Sequence, residues 1–314
     1  MSLHHWETYY RQGGVASCPM GPSSNYTLEL RGVWLEFFGA LPDGSRVLDI
    51  GTGNGAVVLL AKDAAVAGGK TFDIHGSDLA QIDPVRHVRN GVNLYAGIEF
   101  HPGTPTERLP FESGRFDAVS GQFALEYAGI DAALREIHRV LRSGGCAQFI
   151  LHHEQSVIAG NARASIEQSR LVLDDTQILR KLRRHLELER RSATAARASW
   201  KELNDAAARL QVAANDPVTA HTLNVTLDAV RKMLDARRQL TPATLDREIG
   251  RFEQDLRAAT RRLHDVVDPS RSADQMESIA ATARDIGFLN PHYQPQFHAT
   301  SNLVGWRLNL AKHE

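Results

Sequence analysis

The period of the apolar positions changes several times along the chain. Through the first forty residues or so it is helical: TLELRGVWLEFFGAL carries apolar residues at helical intervals until PDG breaks it. From about residue 45 to 155, short β-rich runs take over, namely RVLDI, TFDIHGSD, GIEFHPG, FDAVSG and CAQFILHH. Between them lie GAVVLLAKDAAV and DAALREIHRVLRSGG, which read as helices, the second expected to stop at its glycine pair. AVAGGK reads as an inserted loop. Alternating strand and helix of this kind predicts a parallel sheet covered on both faces.

From about 159 to 274 the strand signals vanish. Trp200, Leu203, Ala207 and Leu210 are spaced as one stripe of a helix, as are Leu223, Leu227, Val230 and Leu234, and again Leu245, Ile249, Phe252 and Leu256. NDPVT and QLTPAT supply breaks, and Thr241 before Pro242 reads as an N-cap with proline at the first helical position. No stripe lasts the three or four heptads of a free coiled coil. After this block MESIAATARDIGFLNPHYQPQ and LVGWRLNLAK restore helix-then-strand texture. The expected organisation is therefore an α/β domain made of 1–158 and 275–314, with an all-α region, 159–274, inserted as a helical cap or dimerisation arm.

Composition narrows the function classes. A formal net charge of −1 over 314 residues gives no general pull toward nucleic acid or anionic membrane. RKLRRHLELERR is locally basic, but the helical block interleaves acids and is poor in aromatics, unlike a stacking nucleic-acid reader. The two cysteines, Cys18 and Cys146, form neither a disulfide framework nor a zinc spacing and suit a reducing compartment. No apolar run approaches the ~20 residues of a membrane span. A cytoplasmic protein with no membrane association is the expectation.

The chemistry concentrates in VLDIGTGNGAV, 47–57. A strand ending here delivers Gly51, Gly53 and Gly55 to the carboxyl edge of the sheet, where open α/β folds bind ligands. Glycines admit positive φ and let a ligand approach the backbone. GTGNGA formally satisfies the dinucleotide fingerprint, so a nicotinamide cofactor is one candidate. Asp49 favours the other: a carboxylate two residues before the first glycine repels a diphosphate and attracts a sulfonium or an ammonium. Asp78, after the next strand, is suited to ribose hydroxyls in either case.

The stretch resembles the class I S-adenosylmethionine-dependent methyltransferases, and the likeness extends beyond the turn. VLDIGTGNG is similar to their first motif, GSD to the acid ending their second strand, TERLPFESGRFDAVSGQFALEY to the run into their fourth strand, and EIHRVLRSGG to the helix and turn before the fifth. LVGWRLNLAK is similar to the last strand of their hairpin. The resemblance implies a Rossmann-like three-layer α/β/α sandwich, S-adenosyl-L-methionine as cofactor, and methyl transfer to O or N of a small-molecule acceptor; it does not reach the helical block. It implies that Gly51, Thr52 and Gly53 border the methionine moiety above Asp49, that Asp78 holds the ribose, and that Leu79 packs on adenine. It further implies that Thr106 and Glu107 flank the adenine edge, with Pro105-Thr106 standing where the family often has Asp-Ala, and that Gln122 faces the methionyl end or the acceptor. Trp6, Tyr9 and Tyr10 either close over the cofactor, where aromatic faces attract a sulfonium, or pack as core.

His152 and His153, at the end of the fifth strand, are the candidate general base or acceptor contacts, one of the two facing the pocket. Adjacent histidines on a strand do not readily converge on one ion, so no metal is expected there. Glu126 and Tyr127 are further acceptor-contact candidates. Two other readings stay open at this level: an NAD(P)-dependent oxidoreductase using the same turn, and a non-catalytic cofactor-binding scaffold whose helical arm recruits a partner.

Overall fold

A computed structural model describes residues 4–16, 25–215 and 220–314. Cys18 and most of the NDPVT break lie outside the described residues. By internal contacts the chain divides into two compact units, 1–159 with 269–314, and 160–268.

The first unit holds a seven-stranded sheet. Its strands are β1 (Arg46–Ile50), β2 (Asp73–Ser77), β3 (Ile98–His101), β4 (Phe116–Gln122), β5 (Leu141–His152), β6 (Phe288–His298) and β7 (Asn302–Lys312). They lie in the order β3-β2-β1-β4-β5-β7-β6. β1 to β5 pair in parallel, while β7 runs antiparallel to β5 and forms a hairpin with β6. The helices are α1 (His4–Arg11), α2 (Leu28–Gly39), α3 (Ala56–Ala67), α4 (Pro84–His87), α5 (Gly91–Leu94) and α6 (Ile130–Val140). There follow α7 (Val157–Arg170), α8 (Ile178–Glu189), α9 (Ala193–Ala213), α10 (His221–Ala236), α11 (Pro242–Val267) and α12 (Ala273–Ile286).

Side-chain alternation makes the layers. Val47 and Ile150 join Leu30, Trp34, Phe38 and the apolar face of α3 in one core. Their neighbours Leu48, Phe149 and Leu151 join α6 and α12 in another, on the opposite face of the sheet. The sheet is covered on both faces, as the pattern predicts, in the three-layer α/β/α arrangement that the resemblance implies. It points the carboxyl ends of β1, β2 and β4 to one edge, and the glycine turn lies there.

Two local expectations need correction. Helix α6 ends at Val140, ahead of the glycine pair. Leu141 is fully buried and pairs with Phe116, so the sheet takes the chain from the helix one turn early; Gly144, at φ 71°, bends the strand instead of capping the helix. Likewise α3 continues through Ala67, because Ala64 and Ala65 are buried against the sheet, and the loop begins only at Gly68.

The second unit has its own core, with Leu179, Leu182, Leu186, Leu203, Leu210 and Leu223 among its buried residues. Thr241 Oγ1 accepts from Thr244 N at 3.2 Å with Pro242 next in line, as the break predicts. Trp200 departs from its stripe. It stays 47% exposed beside His185, because the buried line of α9 runs through Ser199, Leu203, Ala206 and Leu210, one position over.

Candidate active site

Strand β1 ends with a carboxylate sealed under the turn. Asp49 is buried and accepts from Ser120 Oγ at 2.8 Å, and burial pushes its carboxyl up to about 7. Beyond it Gly51 and Gly53 take φ of 56° and 52°, left-handed conformations that other L-residues adopt only at a cost. A Cβ on Gly51 would stand 2.4 Å from that of Ala124, and one on Gly53 would stand 2.8 Å from the Tyr10 ring. The turn is thus held by its neighbours on both sides.

Asp78, just past β2, ties the turn to the second strand. Its two carboxylate oxygens accept from Gly53 N and Ala80 N, both at 2.8 Å. Burial raises its pKa to about 6 against the pull of those two bonds. Each oxygen keeps a lone pair for a further donor.

These residues line two adjoining recesses. The narrower one lies under the turn and is bordered by Asp49, Thr52, Gly53, Tyr26 and Asn54. The wider one is walled by Asp78, Leu79, Ala80, Thr106 and Glu107 on one side, and by Phe123, Ala124 and Tyr127 on the other. Tyr10, Gly51 and Gln122 border both. Leu79, 48% exposed, offers an apolar face to the cavity. Glu107 Oε1 accepts from Gly129 N at 2.8 Å, which fixes its side chain on the wall.

The roof is aromatic. Trp6 and Tyr10 stack with ring centroids 6.0 Å apart, and Tyr127 meets Trp6 edge-on at 6.4 Å. Tyr9 turns away and donates to Ala16 O. Burial, with Asp78 adding to it, pushes the Tyr10 phenol well above its ordinary value, so it stays protonated. The helix carrying these rings is strapped down by Asn54, whose Nδ2 donates to Tyr10 O and Gly14 O.

Sequence reasoning missed several supports. Trp34 Nε1 donates to Gln122 Oε1 at 2.6 Å from the helix packed on one face of the sheet, leaving Gln122 Nε2 buried with no protein partner on the cavity wall. Phe123 adopts a φ of 53° at the wall, a strained conformation of the kind that collects at binding sites. Helical spacing marks Trp34 only as core, and nothing local marks Phe123.

Neither strand-end histidine lines the cavity. His152 packs behind the wall, its ring 4.1 Å from Phe123, with Nδ1 2.7 Å from Glu126 Oε1. The same Glu126 oxygen accepts from His152 N at 2.8 Å. His153 stacks on Trp306 at 4.2 Å, and its Nδ1 accepts from Gln155 N.

Comparison with known proteins gives the site its relatives. Residues 47–145 match a family described as "Methyltransferase domain". This chain carries a class I S-adenosylmethionine-dependent methyltransferase domain. This chain is 34% identical over 106 residues to a demethylmenaquinone methyltransferase of Chlorobaculum parvum, covering 33% of this chain and 40% of that protein. It is 34% identical over 130 residues to a ubiquinone/menaquinone biosynthesis C-methyltransferase of Xylella fastidiosa, covering 40% of this chain and 50% of that protein. The matches thus span half or less of these relatives. A solved phosphoethanolamine N-methyltransferase of Haemonchus contortus aligns with 99% of this chain and 57% of its own, at 14% identity and a TM-score of 0.46. Among the described residues no helix is long and apolar enough to cross a membrane.

The methyltransferase cofactor is S-adenosylmethionine, and the residues fit it. Two buried acids with raised pKa values suit a ligand that brings positive charge and hydroxyl donors. The positive-φ glycines keep the turn open to it, and the unpaired Gln122 Nε2 offers a buried donor to a carboxylate or carbonyl. A diphosphate would bring negative charge against the same acids.

Proposed function

We propose that this chain transfers the methyl group of S-adenosylmethionine to a small-molecule acceptor seated beneath Trp6, Tyr10 and Tyr127. The observation that carries this reading is the pairing of two buried acids at the glycine turn with an aromatic roof over a shared cavity. When bound, the cofactor would supply a methyl carbon on a sulfonium: an electron pair of the acceptor forms the new bond while the S–C pair stays on sulfur, leaving a neutral thioether, and the proton carried by the acceptor atom is shed to solvent.

The chain's own part is binding, orientation and exclusion of water. Asp78 accepts the ribose hydroxyls on the lone pairs that Gly53 and Ala80 leave free, and Leu79 packs on the adenine with Thr106 and Glu107 at its edge. Gly51, Thr52 and Gly53 border the methionyl end above Asp49, and Gln122 Nε2 donates to it. The Tyr10 ring presents its face to the sulfonium, worth ~0.5–2 kcal/mol with desolvation. Its phenol, held protonated, is no base. His152, orientated by Glu126, props Phe123 and Tyr127 from behind; it is a positioning residue in this reading, as His153 is for Trp306.

The acceptor atom expected from the sequence is O or N. One relative is named a demethylmenaquinone methyltransferase and another a ubiquinone/menaquinone biosynthesis C-methyltransferase; the second name adds carbon as a third choice, and an aromatic wall suits a flat, electron-rich acceptor. The test is turnover with isotopically labelled cofactor against a panel of hydroquinones, phenols and amines, after calorimetric titration with S-adenosylhomocysteine and with NAD(P). Micromolar binding of the first, none of the second, and label in one acceptor class are the expected results. Binding of NAD(P) in its place would overturn the reading.

A further inference from the structure

Strands β2 and β3 carry a histidine-rich cluster that the cofactor cavity does not use. His75 stands opposite Glu99 in the parallel register, and His101 lies two residues beyond Glu99 on the same face. His75 Nδ1 is 3.0 Å from His101 Nε2. Glu99 reaches both rings, Oε2 lying 3.6 Å from His75 Nδ1 and Oε1 3.7 Å from His101 Nε2. A zinc ion bound at ~2.0–2.1 Å by tetrahedral donors spaces those donors roughly 3.3 Å apart. The two nitrogens stand a few tenths of an ångström closer than that, the two Glu99 oxygens face one ring each, and one donor atom from each of the three residues lies within 4.8 Å of the other two.

We propose that His75, Glu99 and His101 bind a divalent ion of the zinc class, clamping the short edge strand β3 to β2, with water in the fourth position. Two imidazoles and one carboxylate are a donor set that zinc accepts, and imidazole selects against magnesium and calcium. The orientation of His75 is already fixed from behind: its Nε2 lies 3.1 Å from Asp73 Oδ1. With an ion bound, Asp73 would take the hydrogen bond of an Nε2 proton and leave the Nδ1 lone pair to the metal, the relay that metal-bound histidines commonly show. The site is balanced in charge. Arg115 NH2 lies 3.4 Å from His75 Nε2, on the far side of the ring from the donors, and the acids Asp73 and Glu99 outweigh it. His75 is 2% exposed and Glu99 66%, so the ion would enter from the solvent side and rest against a buried ring.

The competing explanation is a plain hydrogen bond between two neutral imidazoles, which needs no ion. Chelator-stripped full-length chain, titrated with zinc chloride by calorimetry at neutral pH, separates the two. Glu99→Gln and His101→Asn are the variants of choice, because both side chains are more accessible than His75 and neither lies in the cofactor cavity; circular dichroism checks that they fold. The expected result is one zinc per chain, with affinity reduced about tenfold or more in each variant. Cobalt in place of zinc should give the strong visible absorption of a tetrahedral site, lost in the double variant. Zinc should also raise the melting temperature of the parent chain and leave that of the double variant unmoved. No stoichiometric binding, or binding as strong in the variants as in the parent chain, overturns the proposal. The outcome is independent of the methyl-transfer reading, since the titration uses the metal alone.

Discussion

The ring of Tyr10 occupies the space into which a side chain at Gly53 would grow: a Cβ there would lie 2.8 Å from Tyr10 Cε1. The N-terminal aromatic helix is thus fitted to the first turn, and both border the same recess. Gly53→Ala should weaken S-adenosylhomocysteine binding through two additive costs, the left-handed backbone at about 1–2 kcal/mol and displacement of Tyr10. Tyr10→Ala should weaken binding as well, by loss of the roof. The double variant should bind better than the sum of the single losses predicts, because the second change removes the clash that the first creates. Strict additivity in the calorimetric cycle would mean that Tyr10 does not sit on the turn in solution.

Asp78 links that turn to the second strand while facing the cavity. Asp78→Ala should cost roughly 1.5–3 kcal/mol of cofactor affinity through lost hydrogen bonds to a charged group. Asp78→Asn should not rescue it, since an amide nitrogen would confront the Gly53 or Ala80 donor. Unchanged affinity in the alanine variant would remove Asp78 from the site.

The two acids also predict a pH dependence whose sign is set by burial. Asp49 and Asp78 titrate near 7 and 6, above the ordinary 3.8, so in the free protein both take up protons as pH falls through that range. The sulfonium cofactor favours their charged forms. Its affinity should therefore fall as pH drops below about 7, with protons released on binding, and level off above about pH 8. Calorimetry in buffers of different ionisation enthalpy reads the release directly; proton uptake would contradict the assignment. For stability the sign is opposite to that of a salt-bridged carboxylate. A folded-state pKa above the unfolded value means stability that is present below about 3.8 and lost as pH rises toward 7. Asp49→Asn should then raise the stability of the cofactor-free protein at about pH 8, by at most about 4 kcal/mol, while weakening cofactor binding.

Much of this site is visible in the sequence because its parts are local. The turn, the acid two residues before it and the acid after the next strand follow from short spacings along single elements, and the sheet alternation follows from period two. What escaped were contacts between elements distant in the chain. Trp34 reads as one more apolar position in a helix, yet its indole fixes Gln122, 88 residues away. The strand-end histidines read as solvent-edge chemistry, but Glu126 and Trp306 draw them behind the wall. Helix α6 ends earlier than its glycine pair predicts, because glycines signal a helix stop only when a sheet does not claim the preceding residue first. The cluster at His75, Glu99 and His101 depends on strand register, which no single segment displays.

The helical unit offers the last test, because the chain ends that flank it are held together within the sheet domain. Arg271 N donates to His152 O at 2.8 Å, Glu154 N donates to Arg271 O at 3.1 Å, and Trp306 Nε1 donates to that same carbonyl. Arg271 NH2 further donates to Glu126 O. Closing the gap therefore asks little of a linker, since the entropy of a short loop between fixed ends is small. Replacing 160–268 by a short Gly/Ser linker should leave the remaining unit folded, with affinity for S-adenosylhomocysteine close to that of the full chain. If the helical unit shapes the acceptor pocket, methyl transfer should be lost while this binding persists; if it is an association arm, turnover should remain and the oligomeric state measured by light scattering should change. Loss of cofactor binding in a variant with native circular dichroism would show instead that the helices are part of the nucleoside site.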